Sequence, residues 1–296
     1  KGMVYEPFNR EMHVIMPANI PVERTWRIDR GVDRGFKPDP FAILWSMEDH
    51  DGNEFIVAEA EHYRLVARQK TEALFAGDAD ALDWVTEKTH CTPEQAKEML
   101  GRVFGPVDLN IPDEYTGRPA GELMLRDPND PNWKGVMVNV VSIKRIGQKG
   151  EEASGIENIN ALLMPQKGHK YPIGHPKRDS EDEKNLGAPR LYFSAKCVRL
   201  IAQVDNAKYE DPEAGGDPAR MNNKRVRNTF AEGEETHHWD LQSCLRLLAQ
   251  KARFRSEPPQ AAKLGFIEFL EEVRRGNKST SGYSHTRLVS AETRLS

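Results

Sequence analysis

The sequence predicts an α/β fold that begins with three antiparallel strands. Apolar runs of strand length occur at Trp26–Val32, Phe41–Met47 and Glu54–Ala58. The last two runs are separated by Asp51-Gly52-Asn53, and an Asp-Gly pair between apolar runs is a strong hairpin signal. Helical patterns follow these runs, so strands and helices are expected in one mixed fold.

The rest of the chain predicts further helices and strands. Thr92, Pro93 and Glu94 supply an N-cap, a first-turn proline and an acidic first turn, which favours a helix start. Residues 165–190 hold many Pro, Gly, Lys, His and acidic residues and are expected to form a long loop. The expected helices cover residues 64–76, 79–87, 92–100, 154–163, 197–204 and 238–253, and the expected strands cover 106–113, 136–146 and 191–194.

Composition limits the classes of function. Of the 296 residues, 38% are hydrophobic and 30% are charged, and the formal net charge is -4. The whole molecule therefore does not attract nucleic acid, and any such binding must come from local basic patches. The three cysteines lie far apart, without a disulfide or zinc spacing, so a reducing intracellular setting is expected. No run of about 18 apolar residues is present, so no membrane-spanning helix is expected.

Two parts of the chain are expected to differ in structure. Residues 1–255 predict one large domain, and residues 256–296 predict a C-terminal helix and a flexible tail. Leu264–Arg274 has an amphipathic pattern, and the Ser, Thr and Arg residues beyond it are typical of disorder. The first residues resemble the cut end of a longer protein.

Asp33 stands at the expected tip of the first strand. Gly35 allows the chain to turn, and the second strand begins near Phe41. The pattern therefore predicts an acidic side chain at the end of a buried strand. An ordinary hairpin, in which Asp33 only caps a turn, is the alternative.

A second acidic residue, Asp240, is expected near the start of the last helix of the large domain. His237 lies three residues earlier, so in a helical turn both side chains can reach one point. The alternative for Asp240 is a carboxylate that stabilises the helix N-terminus through the helix dipole. The buried face of this helix is marked by Leu241, Cys244, Leu245 and Leu248.

These motifs resemble the C-terminal nuclease domain of tailed-bacteriophage large terminases. The first match is Gly31-Val32-Asp33-Arg34-Gly35-Phe36 followed by Pro40-Phe41-Ala42-Ile43-Leu44-Trp45. The second is a His-x-x-Asp motif at His237, ahead of Ser243-Cys244-Leu245-Arg246-Leu247 where the family has an Ala-Leu-Arg-Tyr-like run. The resemblance covers about residues 20–250. It implies a ribonuclease H-like mixed sheet, with three antiparallel strands followed by parallel strands and with flanking helices.

The resemblance also implies a third acid at the end of the fourth strand. In the expected strand 106–113, Val107, Leu109 and Ile111 share one face with Asp113, so Asp113 is the preferred residue. Asp108, on the opposite face, is the alternative.

Asp33, Asp113 and Asp240 are expected to bind two Mg²⁺ or Mn²⁺ ions, because hard cations require oxygen ligands. Two such ions about 4 Å apart can activate water and stabilise the leaving oxygen during phosphodiester hydrolysis. His237 is expected to adjust the second ion or to transfer a proton to the leaving group.

The function implied by the resemblance is an endonuclease that cuts concatemeric double-stranded viral DNA when packaging starts and ends. The sequence has no Gly-x-x-x-x-Gly-Lys-Ser/Thr phosphate loop, so the chain is expected to be the nuclease part of a longer terminase. The implied partners are viral DNA, the terminase ATPase domain, the portal protein and the small terminase subunit, in the host cell cytoplasm. The alternatives are a junction resolvase or transposase of the same superfamily, and a non-catalytic module that docks on the portal.

The chain departs from the family in three ways. Its helical spacer before the fourth strand is long, residues 125–150 and 165–190 look inserted, and a single Asp stands where many relatives have two adjacent acids. The second insertion is either a loop that contacts DNA phosphates or a solvated charged loop. Its basic residues are Lys167, His169, Lys170, His175, Lys177 and Arg178.

Overall fold

A mixed sheet of seven strands is the centre of the described structure, a computed structural model. The described residues are 3–35, 40–110, 112, 118–125, 130, 133, 135–141, 152–207 and 240–250. Its strands are β1 (Val14–Ile15), β2 (Arg27–Asp33), β3 (Phe41–Glu48), β4 (Glu54–His62), β5 (Leu100–Pro106), β6 (Val138–Val141) and β7 (Leu191–Ser194). Its helices are α1 (Arg10–His13), α2 (Ala67–Thr89), α3 (Pro93–Glu98), α4 (Ala120–Leu125), α5 (Glu152–Leu163), α6 (Glu181–Leu186), α7 (Val198–Asn206) and α8 (Asp240–Ala249).

The strand order across the sheet is β1-β7-β4-β3-β2-β5-β6. β2, β3 and β4 are antiparallel neighbours, whereas β5 runs parallel to β2 and β6 runs parallel to β5. β7 runs parallel to β4 on the other side. This arrangement confirms the expected ribonuclease H-like mixed sheet, in which the antiparallel strands β2, β3 and β4 are followed along the chain by the parallel strands β5, β6 and β7. The short strand β1, which precedes them and runs parallel to β7, was not expected.

The helical spacer after β4 differs from the prediction of two short helices. Residues 64–76 and 79–87 fall largely within the single helix α2, which runs without a break from Ala67 to Thr89. Its middle is held against the sheet, where Trp45 Nε1 donates a hydrogen bond to Asp78 Oδ1 at 2.8 Å. This contact across the layers keeps the region around Gly77 helical although its local sequence suggests a break.

The predicted strand over residues 106–113 is wrong for its described part. Val107–Asn110 form a 3-10 turn, and the strand is the preceding segment, β5. The expected helix at Thr92 begins as predicted, with a capping box between Thr92 and Gln95, but it ends at Glu98. β5 forms because it pairs with β2, where Phe104 of β5 lies opposite Gly31. Local sequence patterns do not contain this long-range contact.

Helices cover both faces of the sheet, so its central strands are buried on both sides. On one face, Ile43 and Trp45 pack with Leu74 and Val85 of α2. On the other face, the apolar residues of β3 pack with those of α5, α7 and α8. This second cluster includes Ala42, Leu44, Ile159, Leu200, Leu241, Cys244 and Leu248.

The chain divides into two units, Lys1–Ala252 and Arg253–Ser296. The second unit lies outside the described residues, so the predicted division at residue 255 stays a prediction. Within the described ranges, no helix is long and apolar enough to cross a membrane.

Candidate active site

Asp33 is the last residue of β2, and it is paired with Ala42 of β3. Paired residues in an antiparallel sheet share a face, and Ala42 faces the core cluster that contains Cys244 of α8. The side chain of Asp33 therefore lies on the α8 side of the sheet. The structure confirms the expected position of Asp33 at the end of a central strand.

α8 brings Asp240 to the same place, because it begins at Asp240 and packs across β2 and β3. The fully buried thiol of Cys244 donates to the carbonyl of Ala42 at 3.4 Å. Burial raises the pKa of this thiol, and the charges of Asp33 and Asp240 raise it further. The structure therefore places Asp33 and the start of α8 with Asp240 on the same face of the sheet.

The carboxyl group of Asp33 has little contact with water, although other atoms of the residue are accessible. Burial is the main cause that raises the pKa of Asp33, and the charge of Asp108 raises it as well. A hydrogen bond with the Ser243 hydroxyl and the charge of Arg246 act in the opposite direction. Arg246 Nη2 also donates to Ser243 Oγ at 2.9 Å, so α8 supplies polar partners for the ionised carboxylate.

Asp108 lies close enough to Asp33 for its charge to matter, which is relevant to the choice of the third acid. It belongs to the 3-10 turn directly after β5, the parallel neighbour of β2. Arg34 Nη1 donates to the carbonyl oxygen of Asp108 at 2.9 Å. The preferred residue, Asp113, lies outside the described residues and stays a prediction. The sequence prediction missed β5 (Leu100–Pro106) because two glycines interrupt its apolar run.

Glu61 is an acidic residue of this face that the sequence interpretation missed. Glu61 lies on β4 and pairs with Ala42 of β3, which pairs on its other side with Asp33. Its side chain is only 6% exposed. Glu61 forms an ion pair of 2.8 Å with Arg199. The alternation of Ala58, Glu59, Ala60 and Glu61 in the sequence could have indicated that β4 continues beyond the expected strand end at Ala58.

The neighbouring Glu59 has a structural role. Its carboxylate accepts hydrogen bonds from the backbone N–H groups of Arg199 and Leu200 at 2.9 and 2.8 Å. These groups belong to the first turn of α7, and a carboxylate there satisfies free donors and complements the helix dipole. Glu59 therefore fixes α7 on β4.

Residues 165–190, which were expected to form one long loop, contain the helix α6. This segment lies at the opposite end of β3 from Asp33. His169 Nε2 hydrogen-bonds with Asn53 Oδ1 at 2.7 Å, and Asn53 precedes β4 at the hairpin tip. His175 is buried and stacks on Tyr171, with ring centroids 4.4 Å apart. Lys177 forms ion pairs with acidic residues. These contacts give much of the segment a packing role away from the acidic site.

A metal site needs more ligands than the described part of the chain places together. Among the described residues, no group of three His, Cys, Asp or Glu side chains is placed to hold a metal ion. His237 and Asp113 lie outside those residues. The two described carboxylates on the α8 side of the sheet, Asp33 and Asp240, are hard oxygen donors, the type of ligand that Mg²⁺ and Mn²⁺ prefer.

Comparisons with known proteins were made for sequence and for structure. No family model and no curated protein matches the chain. Its structure is similar to the P22 large terminase nuclease domain, at 11% identity and a TM-score of 0.49, over 86% of this chain and 94% of that one. It is also similar to the large terminase nuclease of thermophilic phage G20c, at 12% identity and a TM-score of 0.46, over 85% of this chain and 98% of that one. A third similar structure is the large terminase nuclease domain of bacteriophage SPP1 with bound Mn, at 12% identity and a TM-score of 0.34, over 68% of this chain and 84% of that one. These three similar structures are all nuclease domains of phage large terminases.

Proposed function

We propose that this chain is the nuclease domain of a phage large terminase, a metal-dependent endonuclease that cuts concatemeric double-stranded DNA at the start and end of genome packaging. The observation that carries the proposal is the meeting of Asp33 and Asp240 on one face of a ribonuclease H-like sheet. Asp33 comes from a strand end and Asp240 from a helix start.

The proposed ligands of two Mg²⁺ or Mn²⁺ ions are Asp33, Asp240 and a third acid that follows β5. Bound divalent ions would activate a water molecule and neutralise the charge that develops on the phosphate. The roles of the chain's own groups are simpler. Asp33 and Asp240 supply the oxygen atoms, Ser243 orients the carboxylate of Asp33, and His237 holds or transfers a proton near the leaving group.

For the third acid we propose Asp113, with Asp108 as the alternative. Asp33, Asp108 and Asp240 all lie among the described residues, where no three such side chains are placed to hold a metal ion. Replacement of each acid by asparagine tests the order. Loss of cleavage in Asp113→Asn with activity retained in Asp108→Asn supports it, and the reverse pattern favours Asp108.

The proposed partners follow from the same assignment. They are viral double-stranded DNA, the terminase ATPase domain, the portal protein and the small terminase subunit, and the proposed location is the host cell cytoplasm. Contacts to phosphates and metal would carry little sequence preference.

The test is cleavage of plasmid DNA in MgCl₂ or MnCl₂ by the wild-type chain and by Asp33→Asn and Asp240→Asn. Each substitution should reduce the rate by more than about 100-fold, because loss of a ligand exceeds the effect of losing a residue that supports one. Asp83→Asn, on the exposed surface of α2, is the matched control and should cut normally.

Three outcomes would replace the proposal. Undiminished cleavage by Asp33→Asn or Asp240→Asn removes the proposed site. A strong preference for branched over linear DNA favours a junction resolvase or transposase. A chain that binds no divalent ion in calorimetry but associates with portal protein is a docking module.

A further inference from the structure

Lys70 is a buried lysine in the first turn of α2, with 8% of its surface exposed. Its ammonium group donates hydrogen bonds to the backbone carbonyls of Arg34 and Gly35, the second at 3.1 Å. The same group lies 5.5 Å from the centroid of the Phe41 ring. A buried charge is expensive unless hydrogen bonds replace its water, so this lysine is committed to the segment after Asp33.

The lysine reaches this segment from behind the acidic site. α2 packs on the face of the sheet that carries Trp45, whereas α8 and Asp240 pack on the face that carries Ala42. Lys70 therefore holds the backbone after Asp33 without occupying the space in front of the carboxylate.

The segment held by Lys70 has a constrained backbone at Gly35. This glycine has a φ of +53°, and a Cβ atom there would lie 2.2 Å from the carbonyl oxygen of Pro40. No other residue type fits this conformation and this close approach without strain. The carbonyls of Arg34 and Gly35 follow the end of β2, and Lys70 satisfies them.

Arg34 continues the connection to the next acidic residue. Its backbone carbonyl accepts from Lys70, and its guanidinium donates to the carbonyl of Asp108. Asp33 precedes this residue directly in the chain. A continuous series of contacts thus runs from α2 through the end of β2 to the turn after β5.

We infer that Lys70 and Arg34 are positioning residues that hold the end of β2, and with it the carboxylate of Asp33, in place for metal binding. The inference rests on the proposed function. These contacts join the backbone after Asp33 to α2 and to the turn after β5, so their removal loosens the position of Asp33 while leaving every carboxylate in the chain. Residues that orient metal ligands commonly change metal affinity about 10–100-fold when they are replaced.

The experiment compares Lys70→Met with Lys88→Met in the full chain. Lys88 lies near the other end of α2 and also donates to a backbone carbonyl, that of Ala18, far from the acids. Mn²⁺ affinity is measured by calorimetry, the metal environment by electron paramagnetic resonance, and folding by thermal unfolding. Lys70→Met should weaken Mn²⁺ binding at least about tenfold and broaden the spectrum of the bound ion. Lys88→Met should leave both at the wild-type values.

Arg34→Met is the second variant, and it decides the matter if Lys70→Met does not fold. Weakened Mn²⁺ binding in a folded Arg34→Met protein supports the inference. A Lys70→Met protein that melts earlier but binds Mn²⁺ as tightly as wild type shows that the lysine only stabilises the fold, and the inference is then overturned. If wild type binds Mn²⁺ and cuts DNA while both variants match it, the inference alone fails. If wild type neither binds Mn²⁺ nor cuts DNA, the proposed function fails and the inference fails with it.

Discussion

Gly31 of β2 lies against the backbone carbonyl of Cys244 in α8. A Cβ atom on Gly31 would lie 2.8 Å from this oxygen and 3.0 Å from Leu248 Cγ. Any side chain at this position would therefore push the helix away from the strand. Because β2 ends at Asp33 and α8 begins at Asp240, this contact sets the separation of the two carboxylates.

Replacement of Gly31 by alanine tests that relationship. Gly31→Ala should lower the free energy of unfolding by about 1–3 kcal/mol, the usual range for overpacking, and should reduce cleavage because Asp240 moves away from Asp33. Gly121→Ala is the control, since its Cβ would meet no atom closer than 3.4 Å. Denaturant unfolding and plasmid cleavage are the measurements. Wild-type stability and cleavage in Gly31→Ala would show that α8 can shift freely.

Removal of the Asp33 charge should change the response to metal. Burial raises the pKa of Asp33, so its ionised form destabilises the folded state as pH rises above the ordinary aspartate value. Asp33→Asn should therefore melt at a higher temperature than wild type at neutral pH without metal. Millimolar Mn²⁺ should raise the melting temperature of wild type by mass action and that of the variant less. Equal Mn²⁺ shifts in both proteins would mean that Asp33 is not a ligand.

His175 should make the fold sensitive to mild acid. Burial lowers the pKa of His175 to about 4, and the charges of His13 and Lys177 lower it as well. A hydrogen bond with the backbone of Met12 and the charge of Glu183 act in the opposite direction. The unfolded chain binds this proton near pH 6.5. The stabilising contribution is therefore complete above about pH 6.5 and is lost as pH falls toward 4, and it amounts to at most about 3 kcal/mol.

His175→Phe keeps the aromatic stacking and removes this titration. Chemical denaturation of wild type and variant at pH 7.5 and pH 4.5 gives the comparison. Between those values the variant should lose less stability than wild type. Identical losses would show that protonation of His175 does not limit the acid stability of the fold.

The buried pair of Arg30 and Asp78 should matter for stability and not for cleavage. Arg30 Nε lies 3.4 Å from Asp78 Oδ1, both side chains are less than a tenth exposed, and Trp45 also donates to Asp78. Asp78→Ala leaves the Arg30 charge buried, so it should cost about 3–5 kcal/mol. Asp80→Ala, exposed on the same helix, should cost little. Denaturant unfolding measures both, and a small loss for Asp78→Ala would contradict the pairing.

The features that the sequence predicted well depend on neighbours in the chain. The Asp51-Gly52 turn, the helix N-cap at Thr92 and the strand Leu191–Ser194 occur where they were expected. Turn and cap conformations are set by a few adjacent residues, so a local pattern contains the information. The position of Asp33 at a strand tip follows from the same kind of evidence.

Only the tertiary structure decided which acids come together. Asp108 follows a strand that forms through pairing with β2, and Glu61 lies on a part of β4 that pairs with Ala42. A local pattern can indicate that a segment is a strand, but it does not contain which distant strand it pairs with. For the same reason, sequence alone predicted an acid at the end of β2 and one at the start of α8, whereas the close packing of α8 on β2 depends on the contact between Gly31 and the helix.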